Sequence, residues 1–271
     1  MRPKVAVIQF PGVNCEYETR RALQDAGLDA EVFRWNLDVG QLSSFDAFLL
    51  PGGFSYQDRV RAGAIAAKDS VMEEISLEAD RGKPVLGICN GAQVLVEAGL
   101  VPGLSPGRIE MALGPNKTDG RSGYLCEWVF VRVVEPGRSA FTCAMEEGEV
   151  VPLPIAHAEG RFVTRSRDTL EALEKGRMAR LLYCAATGEV ADRYPSNPNG
   201  SMLSAAAVSN VKGNVMAMMP HPERAAWLMQ VPDRIAGAWG RAKLEAGGDW
   251  TRMSTPGPGR RVFESLLRYL Q

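Results

Sequence analysis

The chain has 271 residues, and its 31 Lys plus Arg against 32 Asp plus Glu give a formal net charge of −1. This balance excludes a protein whose main work is coating nucleic acid or an anionic membrane. Two histidines, His157 and His221, and five cysteines without a C-x-x-C pair argue against a metal centre, a zinc cage or a disulfide framework. With 45% hydrophobic and 23% charged residues the composition is that of an ordinary globular chain. Unpaired cysteines fit a reducing cytoplasm. No stretch approaches the roughly 18 apolar residues of a membrane helix, and the N-terminal apolar run is too short for a signal peptide.

In chain order, Val5–Ile8 reads as a strand buried on both faces, followed by the turn-rich Phe10-Pro-Gly-Val-Asn14 and a helix from Glu16 to Ala26. Ala30–Arg34 and Phe45–Leu50 are further strands, the latter ending at Pro51-Gly52-Gly53. The spacing predicts a helix over 62–79, a strand at Val85–Ile88 and a helix at Asn90–Ala98. Strands alternating with helices predict an α/β fold: one three-layer, open, mostly parallel sheet with helices on both faces. The second half is less regular. Tyr124–Val134, Val151–Ala156 and Val215–Met219 are strand-like, and Arg260–Leu270 is a terminal helix behind a loop-rich insertion near 230–260. No linker divides the chain, so 1–271 reads as one domain.

Gly87-Ile-Cys89-Asn-Gly91 carries the chemistry. A buried strand runs into Cys89 and a helix begins directly after it, with glycines two residues to either side, the pattern of a nucleophile elbow. A helix N-terminus favours a thiolate, and its free N–H groups can hold an oxyanion. The alternative is a small buried hydrophobe. Cys15, also before a helix, is the one rival nucleophile. Two bases are available, each with a glutamate two residues on: His157-Ala-Glu159 and His221-Pro-Glu223. Strand-end logic prefers His221, which follows the cleaner buried strand. Pro51-Gly52-Gly53 ends a strand of the same sheet and could supply a second oxyanion donor. Neither a phosphate loop nor a dinucleotide fingerprint is present, so any ATP-dependent step belongs to another polypeptide.

Together with Phe10–Cys15, Pro51–Tyr56, Arg61–Ala66, Pro154–His157, Asn197-Pro-Asn-Gly-Ser201 and Met218–Arg224, these residues resemble the class I (triad type) glutamine amidotransferases. Within that class they resemble the glutaminase subunits of phosphoribosylformylglycinamidine synthase, over about residues 4 to 228. The resemblance implies a flavodoxin-like fold, with Cys89 as nucleophile, His221 as proton relay and Glu223 as its orienting group. It implies oxyanion N–H groups at Gly53 and Asn90, a glutamine pocket involving Gly52 and Gln93, and a rim or partner-facing set of Phe54, Arg61, His157 and Glu159. L-glutamine is then the substrate, with a synthetase subunit as partner and a small accessory subunit as a further candidate partner. No cofactor or metal is expected in this chain; ATP and Mg are expected on the synthetase subunit. Gln57 and Ala158 stand where relatives carry glycine, and both should stiffen their loops. The competing reading is a DJ-1-like elbow-cysteine redox sensor or binding protein, which would not require the His221–Glu223 pairing.

Overall fold

The structure, a computed structural model, describes residues 1–118 and 120–271. In chain order the elements are β1 (Lys4–Gln9), α1 (Glu16–Asp25), β2 (Asp29–Arg34), β3 (Ala47–Leu50), α2 (Ser70–Asp80), β4 (Val85–Ile88) and α3 (Asn90–Glu97). The short strands β5 (Ala112–Gly114), β6 (Lys117–Thr118) and β7 (Arg121–Ser122) precede β8 (Leu125–Val133), β9 (Val150–His157), β10 (Arg161–Val163) and α4 (Arg167–Lys175). The chain closes with β11 (Ala179–Cys184), β12 (Ala205–Ser209), β13 (Val215–Met218), α5 (Ala238–Ala246), α6 (Trp250–Met253) and α7 (Arg260–Tyr269).

Nine strands form one sheet in the order β2-β1-β3-β4-β13-β12-β11-β8-β9. The pairings from β2 across to β13 are parallel. Those from β13 out to β9 are antiparallel. Every residue of β3, β4 and β13 is buried, which demands cover on both faces and explains their unbroken apolar reading. The expected three-layer α/β frame is therefore present. Its antiparallel extension includes β11 and β12, which the alternation of motifs did not suggest.

Two local expectations change. The helix over 62–79 begins only at Ser70, because the Asp69 carboxylate accepts the Val71 N–H at 3.0 Å and caps α2 there. Gly63, at φ +77°, and the short 3-10 turn Ala66–Lys68 occupy the stretch before it. The 230–260 segment is helical as well as looped. Helices α5 and α6 pack with Leu228 and Val231 in a small apolar cluster that includes Ala246 of α5, and the Lys243 ammonium donates to the Met229 carbonyl at 2.6 Å.

Candidate functional site

Strand β4 ends at Ile88, and Cys89 takes φ 51°, ψ −104° before α3 starts at Asn90. This positive-φ conformation is uncommon for a residue with a side chain, and strain of this kind gathers at functional turns. The flanking glycines make it sterically feasible. A Cβ on Gly87 would stand 2.4 Å from the Gly91 carbonyl oxygen, and one on Gly91 would stand 2.0 Å from that of Leu50. The elbow places the Cys89 sulfur at the N-terminus of α3, 3.6 Å from the Ala156 carbonyl oxygen at the end of β9.

The neighbouring strand β13 leads to His221. Its chain continues through Pro220 to His221, whose N–H donates to the Pro154 carbonyl at 2.8 Å. His221 Nδ1 lies 2.5 Å from Glu223 Oε1, with the histidine 3% exposed and the glutamate fully buried. Burial opposes a charge on the ring. The Glu223 carboxylate and negative charge on Cys89 outweigh it, and His221 is held well above the ordinary histidine pKa. The imidazolium is therefore the resident form near neutral pH.

Cys15 lies close to this pair and lines the same cavity as Cys89. The donor atoms of Cys15, His221 and Glu223 fall within 4.8 Å of one another. That spacing would suit a metal, but a cation is already built in. The Arg224 guanidinium donates to the Cys15 sulfur at 3.1 Å and to Glu18 at 3.3 Å, and stands 3.9 Å from Glu223. Burial foremost, with the Glu223 charge, raises the Cys15 pKa against a lowering hydrogen bond from His221. The rival cysteine is thus a neutral thiol at neutral pH, donating to Asn14 Oδ1 at 3.3 Å.

A cavity of about 460 Å³ opens over the elbow. Cys89, His221, Gly53, Phe54, Arg61, Gln93, His157 and Glu159 line it, joined by Asp58, Tyr124 and Arg224. Of the other expected residues, Glu223, Gly52 and Asn90 stand behind its wall. Gly52 leaves room for His221, since a Cβ there would lie 2.7 Å from its Cε1. Asn90 organises one wall with its side chain. Its Oδ1 accepts the Ser55 N–H at 2.9 Å, and its Nδ2 donates to Gln93 Oε1 at 2.9 Å and to Asp58 Oδ1 at 3.1 Å. Gln93 Nε2 in turn donates to the Glu159 carbonyl at 2.7 Å, joining α3 to the loop after β9.

His157 departs from the expected mouth position. It lines the cavity but is 3% exposed, packed inside the wall rather than on a partner-facing rim. Arg61 is ion-paired to Glu97, and Phe54 is half exposed at the cavity edge. The segment after Phe54 holds Tyr56, Gln57, Asp58 and Val60 all at positive φ, so Gln57 occupies a backbone conformation that favours glycine. Motif reading missed Asp58, which has no spacing signature, and Arg224, whose position next to Glu223 gave no hint of its contact with Cys15.

The sequence model of the CobB/CobQ-like glutamine amidotransferase domain matches residues 2–270. The chain is 42% identical to phosphoribosylformylglycinamidine synthase subunit PurQ of Methanothrix thermoacetophila, covering 99% of this chain and 98% of that protein. Identity to the protein of the same description from Pyrococcus furiosus is 46%, over 82% of this chain and 89% of that one. Among solved structures, PurLQS from Thermotoga maritima contains a chain matched with a TM-score of 0.73 at 32% identity, each chain covered in full. The glutaminase domain of Trypanosoma brucei CTPS, at 13% identity and a TM-score of 0.50, shares the fold. No helix among the described residues is long and apolar enough to cross a membrane.

Proposed function

The chain belongs to the CobB/CobQ-like glutamine amidotransferase family, and from that premise we propose that it is the glutaminase subunit of phosphoribosylformylglycinamidine synthase. It hydrolyses L-glutamine and delivers the ammonia to a synthetase subunit, which converts formylglycinamide ribonucleotide to formylglycinamidine ribonucleotide in purine biosynthesis. The observation that carries this reading is a strained, positive-φ Cys89 at a helix N-terminus, in one cavity with a buried histidine paired to a buried glutamate at 2.5 Å.

The Cys89 sulfur attacks the side-chain carbonyl of glutamine as a thiolate. Backbone N–H groups at Gly53 and Asn90 hold the oxyanion. The His221 imidazolium gives its proton to the leaving nitrogen, ammonia departs, and a γ-glutamyl thioester remains. Neutral His221 then takes a proton from water, which cleaves the thioester to glutamate. Glu223 fixes the ring and stabilises its charge in both steps. Asp58 and Glu159 line the cavity as the anionic receptor for the substrate α-ammonium, with Gln93 and Gly52 shaping the pocket.

The chain acts as one amidotransferase domain carrying the 230–260 segment as an addition, in the cytoplasm. It needs no cofactor of its own; ATP and Mg belong to the synthetase partner, and a small accessory subunit completes the complex. A redox-sensor reading leaves the buried His221–Glu223 pair without a purpose. The test is Cys89→Ala in the complex. Glutamine-driven synthesis is lost and ammonia-driven synthesis is retained; glutamine-driven product from this variant would overturn the proposal.

A further inference from the structure

His157 is one of the two histidines in the cavity wall, and the triad does not use it. Its protonation is settled by Asn116. The Asn116 amide Nδ2 donates to two carbonyl oxygens, those of His157 at 2.7 Å and Gly123 at 2.9 Å. Carbonyls only accept, so the amide orientation is fixed and Oδ1 is the atom facing the ring. Asn116 Oδ1 accepts the Gly160 N–H at 3.1 Å and lies 3.1 Å from His157 Nδ1. An amide oxygen has no proton to give, so His157 Nδ1 carries the hydrogen. A neutral imidazole has one N–H, which leaves Nε2 a lone pair. Burial, with the nearby His221, lowers the His157 pKa to about 3, so the ring stays neutral.

The ring is also held rigidly. Gly160 lies against it so closely that a Cβ there would be 2.1 Å from Cε1 and 2.6 Å from Nε2. The Asn199 amide ties down the Gly160 carbonyl at 2.8 Å. Yet Nε2 is buried and has no hydrogen-bond partner among the described residues. A buried acceptor without a donor is costly, and in a native fold it asks for an explanation. During the reaction a donor does arrive in this cavity: the carboxamide nitrogen of glutamine, which carries N–H groups throughout its conversion to ammonia.

We propose that His157 Nε2 accepts an N–H of the scissile amide nitrogen and of the ammonia it becomes, turning that nitrogen's lone pair toward the proton on His221. This rests on the glutaminase reading above. The balance is simple. Sulfur bonds to the carbonyl carbon, the C–N bond breaks, the His221 proton goes to nitrogen, and His157 neither gains nor loses a proton. Having no hydrogen on Nε2, it cannot convert ammonia to ammonium there. The nucleophile needed by a synthetase partner leaves intact.

The test uses the complex with the synthetase subunit. His157→Phe removes the acceptor while keeping a flat ring. Its kcat for glutamine-driven synthesis, normalised to ammonia-driven synthesis of the same sample, falls about tenfold, the loss of one hydrogen bond in the transition state. KM for glutamine changes little, and His157→Gln, which restores a carbonyl acceptor, recovers most of the rate. A merely structural wall would raise KM and would not be rescued. If the aromatic variant does not fold, 15N-histidine labelling of the Cys89→Ala chain in the complex gives only two imidazoles to follow. Glutamine shifts the His157 Nε2 resonance from its unprotonated position, and glutamate, which lacks the amide N–H, does not. Unchanged kcat in a folded His157→Phe complex, or equal shifts with the two ligands, overturns the proposal. Activity retained by Cys89→Ala would instead overturn the glutaminase reading itself.

Discussion

Gln93 Nε2 donates to the Glu159 carbonyl at 2.7 Å, so the helix that starts directly after Cys89 is bonded to the loop that follows β9. The same helix end, through Asn90, bonds Asp58 and the Ser55 N–H. Walls from three separate stretches of chain thus converge on one cavity, and their polar groups hold one another in place before any ligand arrives.

The His221–Glu223 pair yields the sharpest expectation. Glu223→Gln keeps the shape but removes the buried carboxylate, the main influence that raises the His221 pKa against burial. The ring then loses its proton at lower pH. Thioester formation falls on the order of 10³-fold, and the basic limb of its pH profile moves to lower pH. Rapid-quench measurement of the acyl-enzyme reads both; an unshifted limb would show that Glu223 does not charge the ring.

Asp58 is expected to bind rather than to react. Burial, with the Glu159 charge, raises its pKa against the Asn90 hydrogen bond. Asp58→Asn retains an oxygen for Asn90 and removes only the charge. KM for glutamine rises about tenfold while kcat changes little, the signature of uniform binding lost. Steady-state kinetics of the complex checks this, and a fall in kcat at constant KM would place Asp58 in the chemistry instead.

His157 makes a prediction about stability. Its folded pKa is lowered to about 3, against about 6.5 unfolded. Between these values the unfolded chain binds one proton more than the native one, so stability rises with pH across the window and is lost as pH falls below about 6.5. The slope is about 1.4 kcal/mol per pH unit from this residue alone. Urea unfolding at pH 7 and pH 5.5, compared between the native chain and His157→Phe, isolates it, because the carboxylates titrate alike in both. Equal pH dependence of the two would refute a buried neutral His157.

Much of this site could be read from short motifs because its local demands are strict. Only glycine fits at positions 87 and 91, where an added Cβ would meet backbone at 2.4 and 2.0 Å, so the elbow is spelled out in the residues around Cys89. The strands β3, β4 and β13 are covered on both faces and therefore read as unbroken apolar runs. Asp58 was illegible for the opposite reason. It reaches the cavity through a run of positive-φ residues with no periodicity, held there by Asn90 from another element.

By itself, then, the sequence determined the elbow, the glycines that permit it, the two candidate histidines and the alternating strands and helices of the first half. These are properties of neighbours in the chain, where sterics and spacing act locally. Strand-end logic and the family resemblance already favoured His221; tertiary structure fixed what surrounds each histidine. It set Glu223 against His221 at 2.5 Å and Asn116 against His157 at 3.1 Å, so one ring is held charged and the other neutral. Each local motif offers a glutamate two residues on, but which group meets each ring depends on how distant strands pair. Charge state in a buried site follows from those meetings and not from the identity of the residue.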